Sequence, residues 1–196
     1  MRIVAFSKKN FSKVVLEAAS ALKKGKVLVF PTDTIYGLVA DATNKRAVRR
    51  VFLIKGRKGG KPLPIFVGSV AMAKQLARVS LRQEKLLKKS WPGKVTMVLE
   101  SRGKLPRETG TASYIGLRIP KHPFLQRILK KVGLPLTGTS ANLADSPSLS
   151  NSRDIVKTFQ KRRYQPDLLI DAGKLPSSRP SRVIDITGIK PKVLRK

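Results

Sequence analysis

Four short polar segments, each abutting an apolar run of strand length, constrain this chain more than any other feature. They read P-T-D-T-I-Y-G-L from Pro31 to Leu38, K-G-R-K-G-G-K from Lys55 to Lys61, T-S-A-N from Thr139 to Asn142, and P-S-R-V-I-D from Pro180 to Asp185. A chain built this way places polar turns at the ends of buried strands, and in α/β proteins such turns are where ligands bind. Each segment carries small hydroxyls, glycine or fixed cations. Lys55 and Arg57 lie between hydroxyl-rich segments, which suits an anionic ligand such as a nucleotide.

Between these segments the apolar periodicity predicts helices and strands in turn. Residues 2–6 read as a strand. Asn10 opens a helix with Val14, Val15, Ala18, Ala19 and Leu22 on its apolar face, closed by Gly25 in a left-handed conformation. Val27 to Phe30 is a buried strand. Asn44 opens a second helix with Val48, Val51 and Phe52 inward and Arg46, Arg49 and Arg50 outward. Leu63 to Val67 is a strand, Ser69 begins a short helix, and Ser80 with Gln83 forms a capping box for a helix reaching Ser90. The turn Trp91 to Gly93 feeds the strand Val95 to Glu100. Residues 101–113 read as the most mobile loop. Strand Ile115 to Ile119, helix Pro123 to Val132 and strand Pro135 to Gly138 come next. A helix then starts near Asn151, and strands follow at Leu168 to Asp171, Val183 to Ile186 and Val193 to Leu194. The interleaving is not strict, so the expectation is an α/β fold: a twisted, mostly mixed open sheet flanked by helices. No internal repeat or long linker is visible, so residues 1–196 read as a single domain.

Composition narrows the classes. The 41% apolar content is that of a globular protein. No apolar run approaches the ~18 residues of a membrane span, and the N-terminal apolar stretch is too short for a secretory signal. The expected location is the cytoplasm. Without cysteine there are no disulfides, thiolate metal sites or thiol nucleophile. The formal charge of +31 comes from 42 Lys and Arg against 11 Asp and Glu. Heat adaptation raises Lys and Glu together, whereas this chain has four Glu. The excess cations therefore point to an anionic macromolecule, RNA before others, read through backbone and shape because no aromatic RNA-binding signature is present.

Each segment also has a plainer reading. Lys55 and Arg57 at a helix C-terminus suit the helix dipole. T-S-A-N can be a turn or an N-cap, and P-T-D-T an Asx turn. The glycines at 59 and 60 with Lys61 favour close phosphate approach instead. None of the segments matches a Walker A or dinucleotide-fold glycine pattern. His122, the one histidine, reads as a loop or cap residue, and no carboxylates stand at metal-ligand spacing. The chain therefore suits a reaction whose substrate supplies the nucleophile while the protein supplies charge and position.

Taken in order, the motifs P-T-D-T-I-Y-G-L, K-G-R with G-G-K-P-L, S-W-P-G with V-T, G-L-R-I-P, T-S-A-N with P-S, S-R-V-I-D and V-L-R resemble the YrdC-type threonylcarbamoyl-AMP synthase family, from about Val27 to Arg195. The resemblance implies an α/β open sheet with a large basic concave cavity, in the short, single-domain form. It implies a nucleotidyltransferase that forms L-threonylcarbamoyladenylate and pyrophosphate from L-threonine, bicarbonate or CO2, and ATP. Mg²⁺ would arrive with ATP, and the protein itself would hold no metal. The product would pass to a threonylcarbamoyl transferase complex that modifies tRNA adenosine. The alternative is a double-stranded RNA or tRNA binder of the same fold without turnover. A third reading, the carbamoyl-transfer domain of hydrogenase maturation factors, belongs to longer chains with zinc-binding cysteines.

Carried over by motif, the family's catalytic set falls on Lys55, Arg57, Ser140 and Asn142. Its threonine-binding positions fall on Thr34, Arg118, Thr139 and Ser181. Its ATP contacts fall on Arg57, Lys61, Ala141, Asn142, Ser148 and Arg195. Phe66 stands where some members have histidine and Tyr114 where some have threonine. Lys58 replaces a common proline and Lys61 a common asparagine.

Overall fold

The computed structural model describes residues 1–57, 62–111, 113–176, 178 and 180–196. Among them, strand β1 (Arg2–Ala5) leads to helix α1 (Phe11–Lys23), β2 (Leu28–Pro31), β3 (Tyr36–Val39) and α2 (Lys45–Lys55). Next come β4 (Ile65–Phe66), α3 (Val70–Leu76), β5 (Ala77–Arg78), α4 (Leu81–Ser90), β6 (Val95–Ser101) and β7 (Tyr114–Arg118). The chain continues with α5 (Pro123–Val132), β8 (Leu136–Thr137), β9 (Thr139–Ser140), α6 (Ser152–Phe159), β10 (Leu168–Asp171), β11 (Arg182–Asp185) and β12 (Lys192–Arg195).

The mixed α/β class holds, but the strands divide between two sheets where one was expected. The first has the order β1-β10-β2-β3-β9, and the second β12-β11-β6-β7-β4-β8 with β5 paired to β6. In the first, β1, β10 and β2 are parallel, β3 runs antiparallel to β2, and β9 antiparallel to β3. The division is made at Gly138. Thr137 pairs in the second sheet, and Thr139 opposes Leu38 in the first. Thr137 Oγ1 accepts from Ala40 N at 2.9 Å while its own N–H donates to Ala40 O at 2.9 Å, holding the crossing together. A Cβ at Gly138 would lie 2.8 Å from the Phe66 ring, so only glycine fits the corner.

Alternation along the strands decides what each face buries. In β2 and β10, Leu28, Phe30, Leu168 and Ile170 join the apolar faces of α1 and α5, while Val29 and Leu169 join those of α2 and α6. The first sheet is thus covered on both sides. In β6 and β7, Val95, Met97, Leu99, Ile115 and Leu117 pack with α3 and α4. The alternate positions there carry Thr96, Gly116 and Arg118, so the second sheet turns a polar face away from its helices.

Local signals behave as expected at most positions. All five apolar residues named for α1 are buried, Gly25 has φ +72°, and α5 spans Pro123–Val132. The Ser80–Gln83 capping box is formed. Asn10 sits at the N-cap of α1 without capping it, because its side chain accepts from Ser7 N at 2.8 Å. β3 lies inside a segment expected to be loop. Part of the 101–113 loop is anchored by Thr109, which is buried and donates to Pro106 O at 2.6 Å.

Candidate active site

Helix α2 ends on the sequence Lys55-Gly56-Arg57. Asn44 starts the helix by accepting from Ala47 N at 3.1 Å, and Gly56 stops it at φ 60°. The stop leaves the Lys55 side chain pointing into the molecule, where it is 4% exposed. Its Nζ donates to Ser140 O at 2.7 Å, Asn142 O at 2.9 Å and Asn142 Oδ1 at 2.9 Å. An ammonium has three protons, and all three go to the T-S-A-N segment. In return, Ala144 N donates to Lys55 O at 2.8 Å. Ser140 Oγ also donates to Asn142 Oδ1, and Asn142 Nδ2 donates to Ser146 O. Burial lowers the Lys55 pKa from 10.5 to about 8, and repulsion by Arg57 adds to the shift. Burial also lowers Arg57, while Asp145 opposes that change.

The second cluster forms where the P-T-D-T turn meets the end of β7. Thr32 Oγ1 donates to Ile35 O at 2.7 Å and accepts from Thr34 N at 3.1 Å, which fixes the turn. With the Thr32 proton committed, the contact at 3.0 Å between the two hydroxyls is donated by Thr34. The Thr34 lone pairs stay open to a donor. Asp33 Oδ2 accepts from Arg118 Nη2 at 2.7 Å and from Lys121 N at 3.0 Å. Arg118 Nε donates to Gly93 O at 2.8 Å, and its guanidinium lies 5.9 Å over the Phe66 ring. Gly93 is required there, since a Cβ would fall 2.5 Å from Ser90 O. Burial lowers Arg118 and Asp33 counters it; the guanidinium stays charged.

Arg118 is also within electrostatic reach of Arg195, which opens a third cluster. Arg195 donates from Nε and Nη2 to Ser181 O at 3.1 and 2.7 Å, and from Nη2 to Ser181 Oγ at 3.2 Å. Ser181 Oγ is 3.1 Å from Thr96 Oγ1 on the polar face of β6.

Most of the residues singled out from sequence belong to this constellation. Lys55, Ser140 and Asn142 are directly bonded, and Ser140 opposes Gly37 of the strand that follows the P-T-D-T turn. Thr139 is one residue away; a Cβ at Gly37 would meet both Thr32 Cγ2 and Thr139 O. Thr34, Arg118, Thr139 and Ser181 are buried. Ala141 is wholly buried, with its N–H on Tyr36 O at 2.8 Å, so any contact it makes is through backbone. Ser148 is exposed in the loop after T-S-A-N, apart from the bonded clusters. Lys61, together with Lys58 and the glycines at 59 and 60, lies outside the described residues. Asp33, Thr32 and Gly93 were not singled out from sequence; the P-T-D-T and W-P-G spacings marked their turns but not their partners. His122 is the N-cap position of α5, half-buried, with its pKa lowered by desolvation and its buried Nδ1 without a hydrogen bond.

The arrangement has two buried cations, Lys55 and Arg118, set among hydroxyls and an amide. Such a site binds and orients anions and stabilises charge that develops on them. Among the described residues no group of three or more His, Cys, Asp or Glu is placed to hold a metal ion, and no helix is long and apolar enough to cross a membrane.

Comparison with known proteins agrees with the geometry. Residues 20–196 match the Sua5/YciO/YrdC family, described as "Telomere recombination". The chain is 33% identical over 180 residues to the threonylcarbamoyl-AMP synthase of Pyrococcus abyssi, covering 91% of this chain and 52% of that protein. It is 36% identical over 167 residues to the Homo sapiens threonylcarbamoyl-AMP synthase, covering 85% and 58%. A solved structure of P. abyssi Sua5 complexed with L-threonine superposes with a TM-score of 0.87 at 32% identity, covering 99% of this chain and 56% of that one. The chain thus spans about half the length of these relatives. With the family match running through nearly all of its residues, this chain is a member of the Sua5/YciO/YrdC family.

Proposed function

We propose that this protein is a threonylcarbamoyl-AMP synthase, acting in the cytoplasm to form L-threonylcarbamoyladenylate and pyrophosphate from L-threonine, bicarbonate or CO2, and ATP. The observation that carries the reading is the burial of Lys55 and Arg118 among Thr34, Thr139, Asn142 and Ser181, in a chain with no thiol. The threonine amine adds to the carbon dioxide unit to give a carbamate. A carbamate oxygen bonds the α-phosphorus as the bond to the pyrophosphate oxygen breaks. The nucleophile comes from substrate throughout, so the protein supplies position and positive charge.

In this reading Arg118 binds the threonine carboxylate through Nη1, which makes no hydrogen bond among the described residues. Thr34, with open lone pairs, accepts from the amine or hydroxyl, and Thr139 and Ser181 line the same pocket. Arg57, Lys61, Ala141, Asn142, Ser148 and Arg195 contact ATP. Lys55 acts through its charge and by holding Ser140 and Asn142 in place. Mg²⁺ travels on the phosphates, since the described residues offer it no carboxylate cluster. The product passes to a threonylcarbamoyl transferase complex for tRNA modification, and the excess of cations favours contact with tRNA.

The test is pyrophosphate release from ATP by the purified protein, with threonine and bicarbonate omitted in turn. Release that depends on both supports the synthase. Release indifferent to threonine, or none at all, overturns it.

A further inference from the structure

Asp33 has no part in the scheme above, yet it holds the central contact between the P-T-D-T turn and the second sheet. Its carboxylate is 7% exposed and the Arg118 side chain 4%. We infer that Asp33 is the positioning residue for Arg118, fixing the guanidinium so that Nη1 alone is presented to the carboxylate of the amino-acid substrate. The inference rests on the synthase reading for the identity of that substrate.

Three groups from three segments fix the guanidinium: Gly93 O on Nε, Asp33 Oδ2 on Nη2, and the Phe66 ring beneath. Only Asp33 among them bears charge. Asp33 Oδ2 also accepts from Lys121 N, so the carboxylate is anchored to the segment that follows Arg118 in the chain. Buried ion pairs contribute little net stability compared with packed apolar side chains. The contribution that distinguishes this one is orientation, because a guanidinium donates only within its own plane, so the direction in which Nη1 is held sets where a carboxylate can bind. Asp33 Oδ1 is buried without a hydrogen bond, so it accepts nothing from a ligand in this conformation and Asp33 acts through Arg118. Threonine enters as a zwitterion. The field of Asp33 acts oppositely on its two ends, which leaves orientation as the larger effect.

The experiment measures KM for threonine and for ATP by pyrophosphate release in wild type, Asp33→Asn, Arg118→Lys and the double variant. Asp33→Asn is expected to raise the threonine KM by about tenfold in the wild-type background, the scale of one charge-assisted hydrogen bond. In the Arg118→Lys background the same change should move it by less than about twofold, since residues acting through one another are not additive. The ATP KM should stay within about threefold throughout, which a general structural role would not respect. Asp33→Glu keeps the charge but lengthens the side chain by a methylene; it should raise the threonine KM in the same direction, and it carries the test should the Asn variant not fold. An unchanged threonine KM, an equal rise in both backgrounds, or an equal rise for ATP overturns the inference alone. Wild-type protein that needs no threonine overturns the synthase reading and this inference with it.

Discussion

Replacing Lys55 by methionine keeps most of the stem and removes the ammonium. The carbonyls of Ser140 and Asn142 and the Asn142 Oδ1 then lose their donor. Hydrogen bonds from a charged donor contribute roughly 1.5–3 kcal/mol each, so the three together contribute roughly 4–9 kcal/mol. Opposing this is the cost of burying the cation. The pKa falls from 10.5 to about 8, and at ~1.4 kcal/mol per unit the fold recovers roughly 3 kcal/mol when the charge is gone. The net loss is about 3 kcal/mol, falling on residues 139–146 rather than on the core. Hydrogen exchange at the Ala144 amide, bonded to Lys55 O at 2.8 Å, reads that loss directly. Its protection should drop about 100-fold while the turnover falls at least ~100-fold. A Lys55→Met protein with wild-type protection at Ala144 but lost turnover would refute the clamp and leave Lys55 as a direct phosphate contact. Wild-type turnover would remove Lys55 from the reaction altogether.

The same lysine sets a pH dependence. Pyrophosphate release should fall as pH rises through about 8, where Lys55 loses its proton. Stability should move the other way between pH 8 and 10.5, because there the unfolded chain binds more protons than the folded one; release that is flat across this range in buffers of constant ionic strength would contradict the assignment. L-Threonine should outcompete L-valine, its near-isostere, because valine brings no hydroxyl to pair with the open lone pairs of Thr34 or with the Thr139 hydroxyl, and equal ATP consumption with valine counts against the pocket. Gly138→Ala should lower stability by about 1–3 kcal/mol in urea titration by driving a methyl into the Phe66 ring, and should raise the threonine KM as Phe66 shifts under Arg118. Binding of tRNA should weaken steeply with salt, log affinity falling by roughly 0.7–0.9 per phosphate neutralised, with pyrophosphate release in the same buffers far less affected; absence of RNA binding at low salt would detach the +31 charge from that partner.

Short-range order was legible in the residues themselves. The α1 stripe, the whole of α5, the Ser80–Gln83 box and the left-handed Gly25 follow from spacing, capping chemistry and glycine freedom, all of which act within a few residues. The motif segments likewise marked where the bonded clusters around Lys55 and Arg118 form, although each segment by itself also suited a turn, a cap or a helix end. What tertiary structure alone decided is which polar atoms meet. β5 and β9 are two-residue strands that periodicity did not reveal, whereas β8 lies within the expected strand Pro135 to Gly138; β8 and β9 divide the strands into two sheets only because Gly138 lets the chain pass beneath Phe66. Asp33 reaches Arg118 across 85 residues of sequence, and Lys55 reaches Asn142 across 87. Nothing local at either end names the partner. A charged group buried by long-range packing takes whichever opposite charge or carbonyl the completed fold brings within reach, so the sequence by itself determined the chemistry available, and the tertiary structure decided that Lys55 secures a loop and Arg118 is held by an aspartate.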